Sequence, residues 1–424
     1  MSLFVFEWKK MMKNTTTRVL LILSILAIIG IYLFNLSVAN HTKKQVINHY
    51  DFLINLYLGD AEDWRLEKEI AIELGNQELI EETTMMEESS RTSYEKYTTF
   101  KEEYINEKWE GIYQDIQEEL KYAAYPTVGE IHSIAFEEQE ISNFTLRASY
   151  EEVSYLLAHQ ITPFVQNTTN SMYLPTVYDE FNGRTLELWE EQTSRYAKQG
   201  FYFVYRLIQL YYVPIIILIG CFIFGNTLSS ETTKKTNNIR FHQVLPINQT
   251  KLFFVKCLTG YLGVLLFILI MIGTPLIVGS VMHGFGHLDY PVLVYDGFTS
   301  EYMQQNKIED TFHFITLKKY LLQTLALTLV MSTFIYMVYY LVSHFSKEPI
   351  VNLIFVGVLI FIGMLITHPY NPFSYLNIDQ VLSHEIQMHN WNSDLTLTTG
   401  SVAMLLVSFV FLLLSFFHFR MKTY

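Results

Sequence analysis

Cysteine is almost missing from this chain: 424 residues hold two, Cys221 and Cys257, both inside or beside apolar stretches. A disulfide framework is excluded, so any polar region must be held by packing. No G-x-x-x-x-G-K-S/T run occurs, and the chain therefore carries no nucleotide-binding loop of its own. HExxH is missing as well. In His384-Glu385-Ile386-Gln387-Met388-His389 the two histidines sit at a spacing that diverges around a helix instead of converging on a metal. His283-Gly284-Phe285-Gly286-His287 reads as an interfacial loop. No Ser-His-Asp order stands out, so nothing marks the chain as an enzyme, and no metal or cofactor is expected in it. A net charge of −13 gives no footing for nucleic acid.

The most consequential scarcity is of charge in long runs. Six stretches are apolar and nearly uncharged: 19–39, then between Arg206 and Glu231, Lys256 and His283, Lys319 and His344, Pro349 and His368, and Asp394 and Arg420. About 20 apolar residues cross a bilayer as a helix, because the backbone must satisfy its own hydrogen bonds in lipid. The expected fold is an all-α polytopic membrane protein with six transmembrane helices. Ser37-Val38-Ala39 weakly fits a signal cleavage site, but the run before it exceeds an ordinary signal-peptide core, so it is expected to stay as a span. Ionisable groups are scarce within the spans. That argues against an ion-coupled carrier and favours a bulky amphipathic or apolar substrate.

Basic residues set the orientation. Lys9, Lys10, Lys13, Arg18, Lys234, Lys235, Arg240, Lys251, Lys256, Lys347, Arg420 and Lys422 all fall on one side if both termini are cytoplasmic. Lys318 and Lys319 are the exceptions, and Arg206 also stands at the outer side; such side chains can snorkel to headgroups. The expected division is an N-terminal amphipathic helix in 1–18, a first span at 19–39, an extracellular helix-rich acidic domain at 40–200, and a membrane domain at 201–424 with a cytoplasmic loop at 228–251.

The outer domain is rich in Tyr, Trp, Leu and Ile, which a disordered segment would not be. From Tyr97 the apolar positions step by three and four through Tyr104, Trp109, Ile112, Ile116 and Leu120 to Ala123, predicting one helix that Pro126 stops. Ser149 with Glu152 predicts a capping box and a second helix start. Asn167 to Pro175 reads as loop. From Thr185 a helical pattern runs towards the second span without a clear breaker, predicting a continuous stalk. The acidic surface is a solvated face and is also suited to draw a cationic peptide.

In the loop after the second span, Ile239, Phe241 and Val244 are apolar among polar neighbours, which suits a short amphipathic helix ended by Pro246; Asn248 or Gln249 then starts the next helix. Glu231, then Leu245-Pro246-Ile247-Asn248, then Lys256 resembles the permease subunits of type-2 ABC exporters (the ABC-2 type). There a glutamate just inside the second span precedes a coupling helix, a Leu-Pro turn and a basic residue. The family's Gly-Thr after the glutamate is absent here, with Lys235-Thr236 near that place. The six-span plan and the amphipathic Met1 to Lys13 stretch share the likeness.

The resemblance implies ATPase-coupling residues Glu231, Ile239, Arg240, Phe241, Val244, Leu245 and Pro246, and no catalytic residue. It implies a separate cytoplasmic ABC ATPase that binds ATP and Mg, a homodimer or a related permease as second half, and a bacterial plasma membrane as the surrounding bilayer. Gly273 and Pro275 in the third span are a candidate kink or hinge, or simply a bend near its outer end. The rival implication is a non-transporting scaffold or receptor of the phage-infection or secretion-accessory type.

Overall fold

The helix that begins at Thr15 does not stop where its apolar run stops. In the computed structural model of the chain it continues unbroken for 60 residues to Leu74. Nothing after Ala39 breaks a helix until Gly75-Asn76, where Gly75 takes φ 65° and the Asn76 side chain accepts the Leu79 N–H as the next N-cap. The structure describes residues 3–126, 134–137, 139–168, 171–226, 248–296, 312–346 and 348–423.

In chain order the helices are α1 Leu3–Lys13, α2 Thr15–Leu74, α3 Gln77–Ile105, α4 Glu110–Ala124, α5 Asn143–His159, α6 Gly183–Thr193, α7 Gly200–Gln209, α8 Tyr212–Phe224, α9 Gln249–His283, α10 Leu317–Val342, α11 Pro349–Met364, α12 Ile378–Leu382, α13 Glu385–Asn390 and α14 Leu397–Thr423. Two antiparallel hairpins qualify the all-α expectation. They are β1 Ala135–Phe136 with β2 Gln139–Glu140, and β3 Pro291–Tyr295 with β4 Phe312–Thr316. The second is built from Val, Tyr, Phe and Ile, which pack well on a pleated surface. The chain divides into two compact units, residues 1–33 with 199–424, and residues 34–198.

The larger unit is the membrane unit. α2, α9, α10 and α14 are each long and apolar enough to cross a bilayer, and α7 with α8 makes a fifth crossing if the bent pair counts as one. The protein is thus a multi-pass membrane protein. α11, with 16 residues, reaches about 24 Å and is short for a span. α10 lies at the centre: 61% of its apolar window is buried, against 11% for α2. Its Tyr320, Tyr336, Tyr339 and Tyr340 are fully buried.

The second apolar stretch is not one straight helix. α7 and α8 meet at 84°. Pro214 can give no N–H to the carbonyl of residue 210 and its ring crowds that carbonyl, which favours a kink or break there; Tyr211 turns the corner at φ 58°.

The unit 34–198 corrects three local expectations. The helix predicted through 97–123 breaks at Asn106–Trp109. Glu107 takes φ 57°, and the Trp109 ring lies 5.4 Å from Tyr104 and 5.7 Å from Tyr113, so the tryptophan fills the corner and the apolar periodicity carries across it. The helix expected from Ser149 starts earlier, at Asn143, capped by Ser142 accepting from Thr145 N–H. Ser149 instead bonds back to the Thr145 carbonyl, and Glu152 is buried against Arg195, 2.6 Å from its Nη2. The predicted stalk is interrupted, since α6 ends at Thr193 and an extended stretch pairs Tyr196 with Val165 before α7 begins. The described parts of 167–175 carry no regular structure, as the loop reading expected.

Candidate functional site

α1 carries one acid among basic and apolar residues, and that acid is the one it buries. Glu7 is 5% exposed and pairs with Lys256 of α9, itself 1% exposed, at 3.3 Å. Lys256 was expected at the membrane surface; it lies inside, because an opposite charge offsets the cost of leaving water. The signal for Glu7 was present in sequence: Phe4, Glu7 and Met11 share one helical face. Met11 follows Glu7 onto α9, where a Cβ on Gly263 would stand 3.0 Å from the Met11 methyl and 2.8 Å from the Phe224 ring.

Next to this pair lies a knot of amides and one phenol. Asn226, just past α8, donates to the Phe222 carbonyl at 2.7 Å. Its Oδ1 accepts from Tyr339 of α10 at 3.0 Å and from Asn352 of α11 at 3.4 Å. Asn352 is fully buried, and its Oδ1 has no hydrogen-bond partner among the described residues. At Gly225 a Cβ would meet the Cys221 carbonyl at 2.5 Å and the Tyr339 ring at 2.9 Å, so only glycine lets the chain leave α8 against that tyrosine. Glu7, Lys10, Asn14, Thr17, Asn226 and Pro349 are among the residues lining a cavity of about 370 Å3 there.

This is where the chain leaves α8 and re-enters α9. Asn248 caps α9, accepting from Thr250 N–H at 2.9 Å, as the sequence led one to expect. Glu231, Ile239, Arg240, Phe241, Val244, Leu245 and Pro246 lie outside the described residues. What the structure supplies is the two roots of that segment and the partners that hold them.

Gly273 and Pro275 lie within α9, which runs without a break through both. Pro275 cannot donate to the Met271 carbonyl four residues back. The hydroxyl of Tyr212, the first residue of α8, donates to that carbonyl at 2.6 Å instead. The proline position of α9 is therefore clamped to the corner where α7 turns into α8. Tyr212 escaped sequence reading, since nothing in its neighbourhood marks it as the partner of a carbonyl 59 positions away.

At the opposite end of the same unit, Asp379 of α12 accepts from Tyr320 Oη at 2.7 Å. Loss of hydration pushes the Asp379 carboxyl up to about 6, with the Tyr320 bond and Arg206 pulling the other way. Arg206 bonds Gln209 at 3.1 Å. His283 closes α9; Gly284 and Gly286 follow at φ 83°, and the Gly284 and Phe285 carbonyls accept from the Gly200 and Phe201 N–H groups. His384 Nδ1 donates to the Tyr295 carbonyl, 3.1 Å away, and His389 contacts Glu385 at 3.2 Å. Among the described residues no three His, Cys, Asp or Glu side chains gather as a metal site would require. Comparison with protein-family models, with curated proteins and with solved structures finds no match for this chain in any of the three.

Proposed function

We propose that this chain is the membrane-spanning permease subunit of an ATP-binding-cassette exporter, moving an amphipathic or hydrophobic substrate (a peptide, lipid or drug) outward. A separate cytoplasmic ATPase would bind ATP and Mg beneath the 228–251 loop, and a second copy or a related permease would complete the pathway. The six-span plan, both termini cytoplasmic, a bacterial plasma membrane and an extracellular 40–200 domain belong to this reading.

The observation that carries it is the rooting of the loop. Asn226, just before it, is tied to α10 and α11, and Lys256, just after it, is tied to α1, through buried polar contacts. A push arriving at either root would be delivered to packed helices. Binding of ATP would do work here only through its different affinity for the two loop positions. α9, clamped at Met271 to Tyr212, is the element that would carry the motion across, with Gly273 and Pro275 as the site of bending.

The test is affinity purification of tagged protein in mild detergent, with the Glu231→Ala/Leu245→Asp form in parallel. An ATPase that co-elutes with the wild type, hydrolyses ATP, and is lost or uncoupled in the double variant is the expected result. A folded wild-type preparation without ATPase or hydrolysis would overturn the proposal in favour of the scaffold or receptor.

A further inference from the structure

The 84° corner between α7 and α8 leaves a hole in the helix packing. Around the corner, residues of α7, α8, α9 and α10 together line a cavity of about 330 Å3. This lies within the roughly 300–1,000 Å3 range of ligand pockets. Its walls are apolar almost throughout, with Val204, Tyr212, Ile272 and Leu325 among them. Leu322 and Leu325 on its α10 side are 61% and 53% exposed, so the cavity is reached from the bilayer-facing side of the unit. Lys318, at the start of α10, is the charged residue of its lining; it is exposed, and its ammonium makes no ion pair among the described residues. Its backbone N–H is occupied by the Leu288 carbonyl, which leaves the side chain as the cationic contact.

We propose that this cavity holds an acyl chain of an anionic membrane phospholipid, with the headgroup phosphate against Lys318. The chain fits an apolar wall that water would wet poorly. Its arrival from the membrane fits the exposed leucines. The sign of the headgroup follows from Lys318, reinforced by Lys319 beside it, at a span end where lysine reaches the headgroup layer. The inference does not depend on the transport reading.

The test uses the purified full chain in detergent, titrated with dioctanoyl phosphatidylglycerol and dioctanoyl phosphatidylcholine, with bound lipid counted by native mass spectrometry and stability followed by thermal unfolding. Wild type should bind phosphatidylglycerol the more tightly. Lys318→Ala should weaken that lipid by roughly two- to fivefold and leave phosphatidylcholine unchanged. Thr328→Leu should weaken both lipids by roughly tenfold or more, because it puts extra carbon into the space. Thr328 is 1% exposed, lines the cavity, and has no hydrogen-bond partner for its hydroxyl among the described residues, so leucine there removes an unsatisfied group and the fold should survive. Equal affinity for the two headgroups, or binding unchanged in Thr328→Leu with its unfolding transition intact, would overturn the proposal.

Discussion

A proline inside a membrane helix poses a question that one hydroxyl answers. Tyr212 supplies to the Met271 carbonyl the hydrogen bond that Pro275 cannot. Removing the hydroxyl by Tyr212→Phe should cost about 1–2 kcal/mol, the penalty of a buried acceptor left unpaired. In a Pro275→Ala background the helix can satisfy Met271 itself, and the same substitution should then cost much less. Unfolding midpoints of the four proteins make a double-mutant cycle, and additive losses would show that the tyrosine and the proline act separately. A second residue answers to pH. The Asp379 carboxyl is displaced upward in the fold, from 3.8 to about 6, by loss of hydration. Because the folded value exceeds the unfolded one, the folded state holds the extra proton. The stability this confers is complete below about 3.8 and is lost as pH rises through about 6. Asp379→Asn should therefore raise the unfolding midpoint at neutral pH and flatten its dependence across that window; a wild type that gains stability on going from acid to neutral through this group would contradict the assignment.

Among the elements, α1 is the one whose docking includes a buried ion pair, Glu7 with Lys256 of α9, beside the packing of Met11. Glu7→Ala removes the carboxylate 3.3 Å from the buried Lys256 ammonium and should destabilise the membrane unit by about 3 kcal/mol. Replacing both with methionine removes the charge together with its partner, and most of the loss should be recovered. Thermal unfolding in detergent would report this, and a double variant no better than the single would show that the ion pair is not what holds α1. The sequence revealed elements unevenly, for reasons visible in particular residues. Apolar runs stood out because lipid admits no charge, and five of the six coincide with helices or the bent pair of suitable length, with α11 the short exception. Asn248 announced itself as a cap. The end of α2 did not, since hydropathy falls at His41 while helix propensity persists to Leu74, and only the second governs the backbone. Pro214 was in plain view within an apolar run, yet apolarity alone cannot tell a straight crossing from a turned one. The coupling residues from Glu231 to Pro246 fall outside the described residues, whereas their anchors, Asn226, Tyr339 and Asn352, are lone polar groups in apolar runs that periodicity treats as noise.

For the molecule as a whole the deciding question is which end of the membrane unit faces the cytoplasm. α9 has 35 residues and is about 52 Å long, more than a bilayer's hydrocarbon core of about 30 Å. Its two ends must lie on opposite sides. Its N-terminal end holds α1 through Lys256, and its C-terminal end runs into the exposed His287. The basic residues cluster near the first end, and the exporter reading, following the retention of Lys and Arg on the inner side, puts that end in the cytoplasm. The two native cysteines help, because both are buried and free and should give little background with a membrane-impermeant maleimide. Lys9→Cys, exposed on α1, should label only after the cells are opened, and His287→Cys should label in intact cells. The reverse pattern would put the 228–251 loop on the outer face, out of reach of any cytoplasmic ATPase. The exporter reading would then fall, and the phospholipid site, argued from the cavity and Lys318 alone, would stand in the other leaflet.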